Sequence, residues 1–570
     1  MKSRLEFVLL MLMTCFLASQ LVASEVPRPS TPRARPVVGL IDELQELYPD
    51  TKLDQPVKRL TVHAARNTIA SVHLMMTGLQ GTEKVVFSES DDNGRPTSGI
   101  RWYRMIDVPV TENSGLDRNT EKYSGKVNPY VIRKAPFRIY DPFRPITSPM
   151  TVDSSSIALR IEIPMDSSSS PGAYTHHLRI DFGDHVEVLE FVVIVHRALV
   201  PPVSRSTISY VNWHNLDNIC SAHGVEKWSE PFWDMLAKYA QTMARGRQNT
   251  FWFTWGDYFT FDSSGNVASF RRDRLERLIK LFFQQGFQTV QGAPFVGRRD
   301  WLGSLDMLLA VRAADGAEVY AISDKGKRMV TQMAIRIIGM MQENGWDRRW
   351  VQGVFDEPTD EYVDRYRKLV GLLRGFKKDI RILEATMTTN VSGIVNIWCP
   401  QVQEYQANQE FFDQRKAAGD KVWVYTCLAP GGPWVNRLLD MEHLRQVYIG
   451  WGLAKFNLQG FLHWGLNFHT NKPFEELVRF HMEGQFLPAG DSHILYPVRE
   501  GPLSSQRFEA HRIGMEDYEL LAQLKLHDAA RAQQIIAQVF QAFDKYSKEI
   551  AVYRAARNLL LEAVDQYTPN

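Results

Sequence analysis

Beyond residue 205 the chain repeats one pattern eight times. Short apolar runs, at 208–213, 250–255, 289–295, 350–355, 380–385, 394–398, 421–425 and 460–464, alternate with longer amphipathic stretches. Three of those stretches carry apolar residues at helical spacing. They are Leu275, Leu278, Ile279 and Phe282; Val330, Met333, Ile337 and Met341; and Tyr366, Leu369, Val370 and Leu373. Eight strand–helix units over about 270 residues predict a (β/α)8 TIM-like barrel in an α/β fold. A doubly wound open sheet is the alternative, but no glycine-rich phosphate loop follows the first strand.

The preceding region has a different period. From about 58 to 198 short β-rich or alternating runs are separated by Gly, Ser, Pro and Asn clusters, which predicts an antiparallel β-sandwich. Pro201-Pro202 ends it. At the N-terminus Lys2 and Arg4 precede an apolar run from Phe7 to Leu17, with Ala23 at a small-residue site. This is the pattern of a secretory leader, too short to span a bilayer. Around Cys15 the sequence Leu12-Met13-Thr14-Cys15 departs from a lipoprotein site. The expected division is therefore a leader over 1–23, a Pro-rich linker over 24–37, the sandwich over 38–202, the barrel over 203–503 and solvent-tolerant helices over 504–570 on the barrel's flank. A secreted or periplasmic protein with no membrane span after cleavage is expected.

Lys plus Arg number 66 against 65 for Asp plus Glu, a net charge of +1 that argues against a nucleic-acid partner. After leader removal Cys220, Cys399 and Cys427 remain, with no CxxC pair, so zinc is not expected. Cys399 and Cys427 have the option of pairing across neighbouring strands; buried free thiols are favoured. His176-His177 reads as a surface pair. No metal-ligand spacing occurs and no cofactor is implied.

In a barrel the chemistry belongs at the C-terminal strand ends. Those ends supply a rim of aromatic and hydrogen-bonding residues, and one pair of adjacent carboxylates, Asp356-Glu357 in Val354-Phe355-Asp356-Glu357-Pro358. Pro358 biases Glu357 toward an extended backbone. Thr359 is placed to cap the next helix, and Asp360 and Glu361 suit its first turn. Serving that helix dipole accounts for Asp360 and Glu361 but not for the two acids before the cap. Two carboxylates this close cannot ionise equally, and a raised pKa is what a general acid needs. Trp255, Trp398, Tyr405, Tyr425 and Trp464 are candidates for a sugar platform. Asn212, His214 and Asn467 are candidate ligands of sugar hydroxyls. Arg507, Glu509, Arg512, Glu516 and Asp517 lie in a charged helix and are read as salt bridges from that helix to the barrel.

The segments VFDEPTDEYV (354–363), KVWVYTCLAP (421–430), FLHWGLN (461–467), GDSHILYP (490–497) and RFEAHRIGMEDYELL (507–521) resemble, in that order, glycoside hydrolase family 123 and a wider group of secreted bacterial proteins sharing its catalytic domain. The family's members are β-N-acetylgalactosaminidases. The resemblance implies a retaining mechanism in which the sugar's own 2-acetamido oxygen attacks the anomeric carbon, with Glu357 as acid/base and Asp356 orienting the acetamido group. The implied partner is a glycan or glycoconjugate ending in a β-linked N-acetylhexosamine. Two alternatives stand beside it: a glycosidase for a sugar lacking the acetamide, and a non-catalytic carbohydrate-binding barrel.

Overall fold

The computed structural model describes residues 35–81, 84–299, 306–482 and 485–569. The expected leader, with Cys15, and the linker as far as residue 34 lie outside the described residues. None of the described helices is long and apolar enough to cross a membrane.

Two five-stranded sheets form the amino-terminal part. The first orders its strands Val37–Ile41, Thr68–Thr77, Ser156–Met165, Arg101–Val110 and Phe137–Pro145, all antiparallel. The second runs Arg59–Arg66, Val186–Leu199, Gly172–Asp181, Lys84–Ser90 and Met150–Thr151. Alternation decides which side chains face inward: in Lys84–Ser90, Val85 and Phe87 are buried while Lys84, Val86 and Ser88 are exposed. Val72, Leu74 and Ile161 of one sheet meet Val85, Phe87 and Phe191 of the other in a single cluster. The expectation of a wholly antiparallel sandwich needs one correction. Arg59–Arg66 runs parallel to Val186–Leu199, because the long excursion through the first sheet returns the chain on the same edge in the same direction. A second correction concerns His176-His177. Alternation buries His176 against Glu89 at 2.7 Å and leaves only His177 on the surface, near Asp92.

In the carboxyl-terminal part the eight expected strands are all present. They are β1 (Ser209–Asn212), β2 (Thr250–Phe253), β3 (Thr289–Gly292), β4 (Trp350–Gln352), β5 (Leu383–Ala385), β6 (Ile397–Cys399), β7 (Lys421–Tyr425) and β8 (Gly460–His463). They pair in parallel but as two arcs, β5-β6-β7-β8-β1 and β2-β3-β4, so the single closed sheet expected from the repeat is not formed. Side chains explain both seams. Between β1 and β2, the amides of Tyr210 and Asn212 donate to the side-chain oxygens of Asn249 and Gln248, where a ladder carbonyl would otherwise serve. Between β4 and β5 one bridge joins Gln352 to Ile382, and beyond it the Glu384 carboxyl accepts the amides of Val354 and Phe355. The result is a mixed α/β fold whose strand ends still converge.

Helices Arg272–Gln284, Asp324–Glu343 and Val363–Phe376 bury the apolar faces named above. The final segment departs from expectation. Helix Gln506–His527 is buried along most of its length rather than solvent-tolerant. It crosses helix His443–Lys455 where Gly450 faces Gly514; a Cβ on Gly450 would stand 1.9 Å from the Gly514 carbonyl oxygen, so only glycine admits this approach. Several of its charged residues form ion pairs inside. Arg507 pairs with Asp141 of the sandwich at 2.8 Å, and Glu509 with Arg512 at 2.7 Å and Arg245 at 3.0 Å. The sequence reading tied Arg507 to the barrel; the structure ties it to the sandwich as well.

Candidate active site

Strand alternation would send Asp356 and Glu357 to opposite faces. The backbone prevents that. Regular pairing of β4 stops at Gln352, one bridge joins Phe355 to Val296, and Glu357 turns into the left-handed region with φ 52°. Pro358 does not hold Glu357 extended, as its sequence predicts; local hydrogen bonds override it. The Arg298 guanidinium donates to the carbonyl of Asp356 at 2.8 Å and of Glu357 at 2.6 Å, and the Glu357 amide donates to Ala385 O at 3.0 Å. A non-glycine residue held this way costs on the order of 1–3 kcal/mol and persists where its surroundings over-determine it. Arg298 itself lies over the rings of Phe355 and Tyr362, at 4.9 and 5.3 Å.

Thr359 sits at the expected boundary but makes no capping bond. Asp360 is taken up by the loop after β5, accepting from Thr388 Oγ1 and from Asn390 Nδ2, so its role is to tie two strand-end loops together.

Both acids are half-buried at the mouth of the strands. Asp356 borders a cleft of about 670 Å³ whose walls include Trp213, Trp252, Trp255 and Arg298. Removal from water pushes the Asp356 carboxyl up, and the charge of Glu357 pushes it further, to about 7, with Arg298 opposing. Glu357 is also raised by burial, against the hydroxyl of Tyr425 at the end of β7, which donates to Glu357 Oε1, and the charge of Arg298. Both carboxyls are thus raised above their ordinary range. Among the described residues, none hydrogen-bonds the Asp356 carboxylate, which is left to accept from a ligand.

The structure brings together part of the expected set. Asp356, Glu357 and Tyr425 converge, and Trp464 joins Tyr425 in the cluster between the strands. Trp255 edges the cleft, its ring buried and its indole N–H donating to Ala293 O at 2.7 Å. His214 is buried at the side, in a chamber of about 160 Å³ beyond Trp252; burial lowers its pKa to about 3, so it is neutral. Four candidates lie elsewhere. Asn212 is wholly buried between Tyr210 and Arg437, and Asn467 is spent on the backbone of Asn215. Trp398 points outward from β6 to Phe411 and Phe412, and Tyr405 packs on Phe412 and Phe456.

Other residues were not singled out from sequence. Trp213 and Trp252 stack with centroids 4.5 Å apart and planes 1° from parallel, forming one wall. Arg298 pins the acids, Glu384 supports them from behind, and buried Asp491 accepts the Trp464 indole N–H at 3.2 Å. Period-2 alternation along β2, which places Trp252 opposite in sense to Phe251 and Phe253, was the signal for Trp252. Nothing local marks Arg298 or Glu384. Cys220, Cys399 and Cys427 are free thiols. Among the described residues no group of three His, Cys, Asp or Glu side chains is arranged to hold a metal.

Parallel strands with helices, an aromatic cleft at their ends and two adjacent carboxyls beside it are an arrangement that suits carbohydrate chemistry. Residues 264–524 match the family model for the glycoside hydrolase 123 catalytic domain. That match supports a glycosidase. The fold is similar to that of a family 123 glycoside hydrolase from Clostridium perfringens, studied for glycolipid glycan hydrolysis. The match has a TM-score of 0.72 at 13% identity over 94% of this chain and 98% of that one. Looser similarity extends to an exo-β-1,4-mannosidase from an Opitutaceae bacterium, at TM-score 0.35 and 13% identity over 55% of this chain and 60% of that one. An endo-β-1,4-mannanase from Thermotoga petrophila also gives 0.35, at 10% identity over 55% and 77%. Neither of these two supports an argument about function. No curated protein sequence matches the chain significantly.

Proposed function

We propose that the protein is a secreted glycosidase that removes a terminal β-linked N-acetylhexosamine, N-acetylgalactosamine first among them, by a retaining, substrate-assisted mechanism. In this reading the eight strands work as a (β/α)8 barrel beneath an amino-terminal sandwich, and the basic, apolar leader directs export. One observation carries the mechanism: the two acids are adjacent at one strand end, where Glu357 turns into the left-handed region beside an Asp356 carboxylate that none of the described residues hydrogen-bonds. Carboxyls for the ordinary retaining route face each other about 5–5.5 Å apart across the bond. Adjacent residues on one strand end suit the substrate-assisted route better.

The acetamido N–H donates to Asp356, which favours the Asp356 anion and leaves the proton on Glu357. The acetamido oxygen then bonds to C1 as the C1–O bond to the leaving group breaks. Glu357 gives its proton to that leaving oxygen, and Asp356 faces the positive charge of the oxazolinium-like intermediate. Water next attacks C1 and yields a proton to Glu357; the C1–O bond to the acetamido oxygen breaks. Two inversions give net retention.

A panel of nitrophenyl β-glycosides tests this. Activity is expected on N-acetylgalactosamine or N-acetylglucosamine and not on galactose. Hydrolysis of the galactoside alone overturns the mechanism. A second test uses Tyr425. Its hydroxyl favours the Glu357 anion, so Tyr425→Phe raises the Glu357 pKa, and the alkaline limb of kcat/KM is expected to move to higher pH. A limb that stays or moves down removes Tyr425 from the proton balance.

A further inference from the structure

Glu384 is a charged residue type in a strand whose neighbours, Leu383 and Ala385, fill the apolar interior between the strands. Alternation turns it the other way, toward helix Val363–Phe376, where it is 2% exposed. Its Oε2 accepts three hydrogen bonds: from the Val354 amide at 2.9 Å, the Phe355 amide at 3.1 Å and the Tyr366 hydroxyl at 2.9 Å. Val354 and Phe355 immediately precede Asp356. Tyr366 stands in the helix that follows Glu357. A single carboxyl oxygen thus closes the base of the acid-bearing loop from both sides, while the next residue, Ala385, accepts the Glu357 amide. The β4 ladder has already ended at Gln352, so these buried amides depend on Glu384 for an acceptor.

We infer that Glu384 is a positioning residue that fixes the backbone carrying Asp356 and Glu357 and so sets how close their carboxyls stand. It acts through the backbone and touches no substrate. Burial pushes its own carboxyl well above the usual carboxylate range, against the three hydrogen bonds it accepts. Glutamine offers the same acceptor with the same reach; alanine offers none. The other titratable groups that bear on the pair are Arg298 beyond β3, Cys399 on β6, and Tyr425 and Cys427 at the end of β7. Burial holds the two thiols and the phenol neutral, leaving Arg298 as the charged neighbour.

The inference rests on the glycosidase reading for its rate readout alone. Isotope-edited carboxyl titration of Asp356 and Glu357 in the full chain needs no substrate. Glu384→Gln is expected to titrate like the parent. In Glu384→Ala the two acids separate, and the upper apparent pKa of the pair falls toward an ordinary carboxylate. Tyr366→Phe, which removes one of the three donors and leaves the strand intact, is expected to shift the pair in the same direction by less. It serves if the alanine variant does not fold. On a substrate the parent hydrolyses, kcat of the alanine variant is expected to drop on the order of 10²-fold with KM little changed, the scale of a displaced catalytic group. Its alkaline limb should also move to lower pH. A mere loss of folded molecules scales the rate equally at every pH and leaves the limb in place. An unchanged carboxyl titration in a folded Glu384→Ala or Tyr366→Phe protein overturns the inference. Inactivity of the parent on every acetamido glycoside overturns the proposed function instead, and the titration still decides Glu384.

Discussion

Replacing Glu357 with glutamine is expected to slow hydrolysis of natural glycans by about 10²–10⁴-fold, the usual contribution of a general acid, and to slow nitrophenyl glycosides far less. The reason is the leaving group. A sugar alcohol departs poorly without a proton, whereas nitrophenolate departs as the anion. Asp356→Asn is expected to behave differently. Asp356 faces the charge of an intermediate that forms whatever group leaves, so both substrates should lose rate by comparable factors. Binding of a thiazoline analogue of the intermediate should weaken with it. The electrostatics of the pair sharpen the contrast: removing the Glu357 charge takes away one of the two causes that raise Asp356 to about 7, the other being burial. In Glu357→Gln the Asp356 carboxyl should therefore titrate lower than in the parent. Melting temperatures measured beside the rates separate chemistry from folding. Equal, substrate-independent losses that track unfolding would falsify the division of roles.

These two acids were legible in the sequence because a general rule places chemistry at strand ends and only one end carried adjacent carboxylates. The strands were legible too, since short apolar runs between helical periods need no knowledge of partners. Their closure was not. The seams depend on Asn249, Gln248 and Glu384 reaching backbone amides of strands distant in sequence, and no local pattern announces such a substitution. Two of the aromatic candidates lie away from the cleft for a geometric reason. In β6, Ile397 and Cys399 face inward, which sends Trp398 out to the helices. Tyr405 belongs to the helix after β6 and packs in the core, although in sequence it lies only a few residues past the strand end. Asn212 and Asn467 looked like free ligands because their acceptors and donors, Arg437 and Asn215, come from other loops. Proximity in sequence to a strand end does not fix the direction of a side chain, whereas the left-handed turn at Glu357 does.

Asp141→Ala is expected to cost about 3–5 kcal/mol of stability, the range for stripping one partner from a buried ion pair. Asp141 and Arg507 are both fully buried. Arg507 donates to Asp141 Oδ2 from Nη2 at 2.8 Å and from Nε at 3.1 Å. The same guanidinium donates to Gly490 O at 2.6 Å and His493 O at 3.0 Å, and Tyr496 Oη donates to Asp141 Oδ2 at 2.7 Å. One residue thus joins a sandwich strand, the segment after β8 and helix Gln506–His527. Gly490 is part of the fit: its φ is +92°, and a Cβ there would meet Arg507 Nη1 at 2.6 Å. Without Asp141 the guanidinium keeps its carbonyl partners but loses its counter-charge where water cannot replace it. Asp141→Asn retains an acceptor and should cost less. The exposed pair Arg277–Glu230, at 2.5 Å, supplies the control, since Glu230→Ala removes a solvated contact and should change stability little. Denaturant unfolding of the three variants reads all of this at once. If Asp141→Ala falls within the range of the surface control, the sandwich is an accessory resting on the catalytic half. A loss of the expected size, with sandwich and catalytic half still unfolding in one transition, makes the sandwich part of what holds the strand ends in place.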